Sequence, residues 1–170
     1  MLDFIVLGLP RSATTWLANW LTTDRSLCLH DPFAKTLPEQ WDAGGKRLGI
    51  SCTGAYLMPD WLDAQACPVA IIERNPEDCD ASLAALGQKT TWPLRRAFNR
   101  ARGMRWRFDD IWNEHKARQL WAFLLPGLPF DAARYRLLLD MRVTPTAEAS
   151  QPCPSVTHEL LKRGWLAMEG

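Results

Sequence analysis

The first hydrophobic segment of the chain, residues 4–7, is an uninterrupted apolar run of strand length. After a turn of small residues, apolar side chains return at Trp16, Leu17, Trp20 and Leu21, with the spacing of one face of a helix. The pattern predicts a strand, a loop and a helix. Such a unit directs backbone N–H groups and the positive end of a helix dipole into one small cavity, so we expect an anion there.

The next apolar runs predict three further strands, at residues 26–30, 47–53 and 68–72. The last run is apolar throughout, as is typical of a strand buried on both faces. A helix should follow it, because Asn75 is a preferred N-cap and Pro76 suits the first helical position. We expect its buried face to consist of apolar residues at helical spacing, namely Cys79, Leu83 and Leu86.

The second half of the chain is predicted to be largely helical. Residues 91–121 indicate helix, with Thr91 as N-cap and a break near Gly103. The apolar pattern of residues 135–140 predicts a last strand. Ser155 should then cap a final helix in which Leu160, Leu161 and Trp165 face inward. The whole pattern predicts an α/β fold with three α/β/α layers around a parallel sheet.

Composition bounds the classes of function. With 170 residues, 47% of them apolar, residues 1–170 should form a single domain. A formal net charge of +1 gives no global field favouring nucleic acid or a membrane surface, so we expect neither as a partner. The absence of a basic leader and of any run of 18 apolar residues predicts a cytoplasmic protein. Five widely spaced cysteines favour thiols over disulfides or zinc.

The loop after the first strand carries candidate anion ligands. Arg11 supplies a fixed charge and a planar set of donors, and Thr14 and Thr15 supply hydroxyls at the start of the helix. A Walker A loop would require a second glycine and a lysine. Counting from Gly8, both are missing, because Ala13 and Thr14 occupy those positions.

Residues 10–17, Pro-Arg-Ser-Ala-Thr-Thr-Trp-Leu, resemble the Pro-Lys/Arg-Ser-Gly-Thr-Thr-Trp-Leu loop of sulfotransferases that use 3′-phosphoadenosine 5′-phosphosulfate (PAPS). The resemblance implies a P-loop-like fold of the small bacterial or phage type, with PAPS as co-substrate and no metal. It assigns the leaving phosphate to Arg11 and the adenine to Trp16. The remaining loop residues hold the 5′-phosphate, and these are Ser12, Ala13, Thr14 and Thr15. Ala13 replaces the family's glycine, and its Cβ disfavours a positive φ.

Arg74 and Ser82 form a second match to the same family. Helical spacing places Asn75, Asp78 and Ser82 on one face above the end of the preceding strand, so Arg74 and Ser82 can converge on one ligand. In the sulfotransferases, an Arg-x7-Ser pair in a strand–helix unit binds the 3′-phosphate. An ion pair of Arg74 with Glu77 or Asp78 is the alternative. Residues 162–164, Lys-Arg-Gly, weakly resemble the family's C-terminal basic clamp.

The predicted catalytic base is Asp31, because residues 30–32 resemble the His/x-Glu-Pro segment of bacterial sulfotransferases. His30 is the alternative, since its reference pKa lies nearer neutrality. Strand alternation predicts that the two side chains point to opposite faces, so that only one reaches the substrate. His115 and His158 have no comparable partners and should be structural.

We therefore expect a sulfotransferase that moves a sulfuryl group from PAPS to a hydroxyl or amine of a small-molecule or glycan acceptor. Trp41, Trp61 and Trp92 could line the acceptor cleft. The arginines of residues 95–107 are expected on a solvated face, with an anionic acceptor as the alternative. Two other functions stay open: a nucleotide or nucleoside kinase of the related P-loop fold, and a non-catalytic relic that retains the anion pocket. The sequence does not predict the oligomeric state.

Overall fold

The computed structural model describes residues 1–88, 91–141 and 153–166, which contain one five-stranded sheet with every strand parallel. The strand order is β2-β3-β1-β4-β5. The strands are β1 (Phe4–Gly8), β2 (Ser26–His30), β3 (Arg47–Cys52), β4 (Val69–Glu73) and β5 (Met104–Arg107).

Seven α-helices lie in the described part of the chain. They are α1 (Thr14–Leu21), α2 (Pro59–Asp63), α3 (Pro76–Ala84), α4 (Trp92–Arg100), α5 (Glu114–Leu124), α6 (Ala132–Leu139) and α7 (Pro154–Lys162). Short 3₁₀ helices occur at Pro32–Ala34, Pro38–Gln40, Ala55–Leu57 and Phe108–Trp112.

Both faces of the sheet are covered, which explains why every residue of β1 is buried. Phe4 and Val6 pack into a cluster with residues of α1, α5 and α6. Ile5 and Leu7 point the other way and pack with residues of α2, α3, α4 and α7. The alternation of the strand thus divides the core into two parts. The predicted α/β class with a parallel sheet is confirmed, and the arrangement is consistent with three layers.

The local predictions for residues 4–84 are largely confirmed. The four strands in this part form close to the predicted positions, and the Asn75 side chain accepts a hydrogen bond from the Glu77 N–H at 2.9 Å, as an N-cap should. The apolar face of α3 is shorter than predicted. Cys79 and Leu83 are buried, but Leu86 lies beyond the end of the helix and is 40% exposed.

The predicted strand at residues 135–140 is wrong, because this segment forms most of helix α6. Tyr135 and Leu138 are buried three residues apart, whereas Leu137 is 64% exposed. That spacing is helical, and it fits the packing of Tyr135 against tryptophans of α1. The Asp131 side chain caps the helix by accepting from the Arg134 N–H at 2.9 Å.

The helix predicted for residues 91–121 is also wrong in its middle. The expected break near Gly103 is present, with α4 ending at Arg100, but residues 104–107 form β5 at the edge of the sheet, followed by the 3₁₀ helix Phe108–Trp112. A Cβ at Gly103 would lie 2.8 Å from the Val69 carbonyl oxygen, so the glycine lets the chain approach β4 closely. Helix α7 forms as predicted but begins at Pro154 after Cys153, and Leu161 is 40% exposed.

The topology creates a crevice between the carboxyl ends of β1 and β4. From β1 the chain continues into α1 on one face of the sheet and reaches β2 at one edge. From β4 it continues into α3 on the other face and reaches β5 at the opposite edge. Since β1 and β4 are neighbours, the two connections diverge between them. Open α/β sheets bind their ligands at such a switch point.

Candidate functional site

The loop between β1 and α1 has an unusual backbone conformation. Arg11 and Ala13 have positive φ angles of 72° and 60°, and Ser12 between them has a negative φ. Alternating signs of this kind turn successive N–H groups toward one side of the chain, which makes a concave surface suited to an anion. The Ser12 side chain is fully buried, and its hydroxyl lies 3.6 Å from the Cys79 thiol of α3. The loop is therefore anchored to the helix that follows β4.

Helix α1 begins directly after this loop, and no side chain in the described part of the chain caps its N-terminus. Ala13 is the N-cap residue, and the first helical hydrogen bond runs from the Leu17 N–H to the Ala13 carbonyl at 2.9 Å. The N–H groups of Thr14, Thr15 and Trp16 precede that bond and have no intrahelical acceptor. They form the positive end of the helix dipole, which stabilises a nearby negative charge.

The predicted residues Arg11, Arg74 and Ser82 converge on this loop. The Arg11 Nε donates to the Ser82 hydroxyl at 2.9 Å, although the residues lie 71 positions apart. The Arg74 Nη1 donates to the backbone carbonyl of Arg11. The structure thus places the side chain after β4 and a hydroxyl of α3 each in contact with Arg11 of the loop after β1. Their role as nucleotide ligands stays a prediction.

Neither guanidinium is neutralised by a carboxylate. Within the described ranges, no carboxylate oxygen lies within 4.0 Å of Arg11 or Arg74. The alternative prediction, that Arg74 pairs with Glu77 or Asp78, is therefore wrong. The Arg74 guanidinium instead lies over the ring of Phe108, 4.5 Å from its centroid. Two half-buried positive charges beside the N–H groups at the start of α1, which have no intrahelical acceptor, make a site that favours an anion.

His30 and Asp31 lie beside the start of α1, and the structure brings their side chains together. The His30 Nε2 is 3.2 Å from the Asp31 Oδ2. The expectation that they point to opposite faces is wrong, because Asp31 follows the end of β2 and has a left-handed φ of 42°, which ends the strand alternation. The side chains of His30 and Asp31 are 30% and 27% exposed, so both are accessible from solvent.

The neighbours of this pair connect it to the loop. The His30 Nε2 lies 3.1 Å from the Thr15 hydroxyl and 3.3 Å from the Thr14 hydroxyl. The other carboxylate oxygen of Asp31 accepts from the Thr53 N–H at 2.5 Å and from its hydroxyl at 3.1 Å. Asp31 is thus fixed by the segment after β3, and it orients the imidazole toward the first turn of α1.

Buried acids beneath the site are held in their neutral forms. Burial raises the pKa of the Cys79 thiol, despite the hydrogen bond from Ser12 and the charge of Arg74. Burial also raises the pKa of the Tyr56 hydroxyl well above its ordinary value, and the negative charge of Asp31 acts in the same direction. Neither group is a ready nucleophile at neutral pH.

The structure does not bring Trp16 to the surface of the loop. Its ring is 5% exposed, stacks against Trp20 at 5.5 Å and contacts Trp112 at 5.1 Å. Its indole N–H donates to the Leu138 carbonyl at 2.8 Å. The ring therefore packs in the core between α1 and α6. A contact between Trp16 and an adenine has no geometric support.

The other predicted binding residues are dispersed. Arg163, of the possible C-terminal clamp, forms ion pairs with Glu39 at 2.5 Å and Glu159 at 3.0 Å. Trp41 and Trp61 pack on Phe33 with ring centroids 4.9 and 4.8 Å away. They belong to the hydrophobic core on the α4 side of the sheet.

Sequence reasoning gave three residues at the site no role there, although Ser51 and Thr53 were expected near the same edge of the sheet as His30 and Asp31. Phe108 supports Arg74, Thr53 fixes Asp31, and Ser51 donates to the Thr14 carbonyl at 2.8 Å. The signal for the last two was their place at the end of a predicted strand, which puts them on the same edge as the loop. Phe108 gave no signal, because the segment around it was predicted to be helical.

Among the residues that the structure describes, no group of three or more potential ligands could hold a metal ion. No helix in those same ranges is long and apolar enough to span a membrane. No known family model matches the chain, and it has no significant match among curated proteins.

Proposed function

We propose that this protein is a sulfotransferase of the P-loop-like fold, which transfers a sulfuryl group from PAPS to a hydroxyl or amine of a small-molecule or glycan acceptor. The observation that carries the proposal is the convergence of Arg11, Arg74 and Ser82 on the loop after β1, with no carboxylate on either guanidinium within the described ranges. The order of motifs along the chain supports the same donor.

The donor would lie across the crevice between β1 and β4. In the proposed complex, the N–H groups at the start of α1 hold the 5′-phosphate, with Thr14 and Thr15 adding hydroxyls. Arg11 neutralises charge that develops on the leaving phosphate. Arg74 and Ser82 bind the 3′-phosphate, which is the group that separates this donor from ATP. Trp16 is left out of the proposed site, since its ring is already packed.

The acceptor would be deprotonated by the pair of His30 and Asp31. Their contact at 3.2 Å gives an acceptor proton a place beside the donor phosphates, because the imidazole also contacts the hydroxyls of α1. Asp31 stays the proposed base and His30 the alternative. Sulfuryl transfer requires in-line positioning and charge neutralisation, both of which side chains can supply.

The proposed compartment is the cytoplasm. All five cysteines are free thiols, three of them buried and two half-buried. Unpaired thiols are typical of proteins kept in a reducing compartment.

Calorimetry tests the donor directly. We expect adenosine 3′,5′-bisphosphate to bind more tightly than ATP, with or without Mg²⁺, because only the bisphosphate offers a 3′-phosphate to Arg74. Tighter binding of Mg-ATP would contradict this proposal and would favour a kinase instead.

Transfer of labelled sulfate from PAPS to a panel of hydroxyl and amine acceptors tests turnover. Asp31→Asn should retain bisphosphate binding and lose transfer. Unchanged transfer in that variant would show that Asp31 is not the base and would favour His30. If the parent protein bound the bisphosphate but transferred no sulfate, it would be a non-catalytic relic.

A further inference from the structure

A second cleft lies on the α4 side of the sheet and shares no residue with the proposed donor site. Its volume is about 130 Å³. It lies between the 3₁₀ helix Ala55–Leu57, helix α2 and the end of α4. Its lining includes the apolar or aromatic residues Tyr56, Leu62, Ala97 and Ala101 and the charged residues Asp63, Arg100 and Arg102.

The walls of this cleft are apolar and held in place by the core. Tyr56 and Leu62 are 3% and 4% exposed, and the Tyr56 ring packs edge-on against Phe98 of α4 at 5.4 Å. Cavities of about 150 Å³ with walls of this kind bind benzene in other proteins. The cleft is therefore close to the size of one aromatic ring.

The rim carries charge that the protein leaves unpaired. Arg100, Arg102 and Asp63 all line the cleft and are exposed. Within the described ranges, none of the three takes part in an ion pair. The opposite charges of Asp63 and the arginines thus do not meet within 4.0 Å across the opening. Two guanidinium groups against one carboxylate leave a net charge of +1 at the rim.

We propose that this cleft binds a small monocarboxylate with an apolar body of about one ring. The ring would contact Leu62, Ala97 and Ala101, and the carboxylate would pair with Arg100 and Arg102. Guanidinium groups bind carboxylates through paired, charge-assisted hydrogen bonds, which supplies the specificity that an apolar cleft lacks. An amine of the same size would meet the excess positive charge and bind less well.

Benzoate is the probe for this site. Titration of the isotope-labelled full chain, followed by NMR, should shift the signals of Tyr56, Ala97 and Ala101, with a dissociation constant of about 1 mM for so small a ligand. Benzyl alcohol and benzylamine, which have the same ring, should each bind at least about tenfold more weakly, from the loss of the charge-assisted bonds. Equal binding of benzyl alcohol, or no shift at these residues, would overturn the proposal.

Paired variants separate this site from general anion binding. Arg100→Gln with Arg102→Gln should weaken benzoate binding about tenfold or more, whereas Arg96→Gln, an exposed arginine of α4 outside the lining, should leave it unchanged. An equal loss in Arg96→Gln would show that only diffuse charge is involved and would reject the site. Adenosine bisphosphate binding should be the same in all three proteins, so a failure of the donor proposal would not affect this result.

Discussion

Two groups of arginines in this chain differ in their surroundings. Arg11 and Arg74, at the carboxyl end of the sheet, contact a serine hydroxyl, a backbone carbonyl and a phenyl ring. Arg95, Arg105 and Arg118 each contact a carboxylate oxygen at 2.7 Å. Within the described ranges, each arginine of the second group thus has a carboxylate oxygen within 4.0 Å, and neither arginine of the first group has one. Positive charge that a fold leaves without a counter-charge in a crevice indicates a place for an external anion.

The backbone differs between the same two regions. Among the described residues, the non-glycine residues with positive φ are Arg11, Ala13 and Asp31, and all three follow β1 or β2 at the carboxyl end of the sheet. In those same ranges, the helices and the strand that carry the paired arginines contain no such residue. Left-handed backbone costs a non-glycine residue about 1–2 kcal/mol, so the strain is concentrated at the candidate site. The strained backbone and the arginines of the crevice thus lie in the same region of the molecule.

The sharpest way to break this comparison is to remove one arginine from each group. Arg74→Gln should weaken the binding of adenosine 3′,5′-bisphosphate by about 10- to 100-fold, since a hydrogen bond to a charged group contributes about 1.5–3 kcal/mol. Calorimetry measures the loss.

The matched control for Arg74→Gln is Arg105→Gln. Arg105 pairs with Glu73, the residue before Arg74, so its loss changes the local charge without touching the loop. We expect the affinity of this variant for adenosine 3′,5′-bisphosphate to stay within about twofold of that of the parent protein, because an exposed ion pair contributes little. Similar losses in both variants would show that position in the crevice is irrelevant.

The two groups should also differ in their effect on folding. Arg95→Gln should lower the free energy of unfolding by about 1 kcal/mol, because Arg95 donates to Asp80 at 2.7 Å and to the Thr91 hydroxyl at 3.2 Å. Arg74→Gln should change it by less than about 0.5 kcal/mol, since a second cation lies nearby and no carboxylate is orphaned. Urea unfolding checks both values.

A second part of the folding experiment uses inorganic sulfate. Sulfate should raise the melting temperature of the parent protein and of Arg95→Gln, because an anion that binds only the folded state stabilises it by mass action. It should have a smaller effect on Arg74→Gln. A uniform effect on all three proteins would assign the stabilisation to general salt action.

Ala13→Gly tests the backbone strain. Glycine removes the left-handed penalty but adds conformational freedom to the unfolded chain, so we expect a net gain of about 0.5 kcal/mol in the free energy of unfolding. Ala18→Gly, in the middle of the same helix, should instead cost about 1 kcal/mol. If both substitutions destabilise equally, the left-handed conformation of Ala13 is not a source of strain.

The sequence predicted the parts of the site that depend on local pattern. The apolar run of β1, the small residues of the loop and the helical spacing of α1 are contiguous, so the element order followed directly. The convergence of Arg74 and Ser82 followed from an N-cap at Asn75 and from the period of α3. Both rest on rules that act over fewer than about ten residues.

The failures depend on distant contacts. The apolar residues 137–139 suit either a strand or a helix, and the choice is fixed by the packing of Tyr135 against α1, more than 100 residues earlier. Strand β5 has three exposed residues out of four, so its edge position hid the usual strand signal. The contact between His30 and Asp31 depends on a single left-handed φ that residue type did not predict.

The smallest predicted effect is the change that a paired arginine causes in the pKa of its carboxyl partner. Hydrogen bonds from Arg118 and Arg136 lower the pKa of Glu114 below its ordinary value. A carboxyl whose pKa is lowered by folding stabilises the protein above its unfolded pKa, and this contribution is lost as the pH falls through the folded pKa.

Arg136→Gln should therefore raise the pKa of Glu114 toward its ordinary value, as measured by an NMR titration of the side-chain carboxyl carbon. Arg74→Gln should leave that pKa unchanged, since Arg74 has no carboxylate contact in the described ranges. If the pKa of Glu114 did not change in Arg136→Gln, the exposed pair of Arg136 and Glu114 at 2.9 Å would be too weakly coupled to count as neutralised. The distinction between paired and unpaired arginines would then have to rest on less exposed pairs such as Arg95 with Asp80.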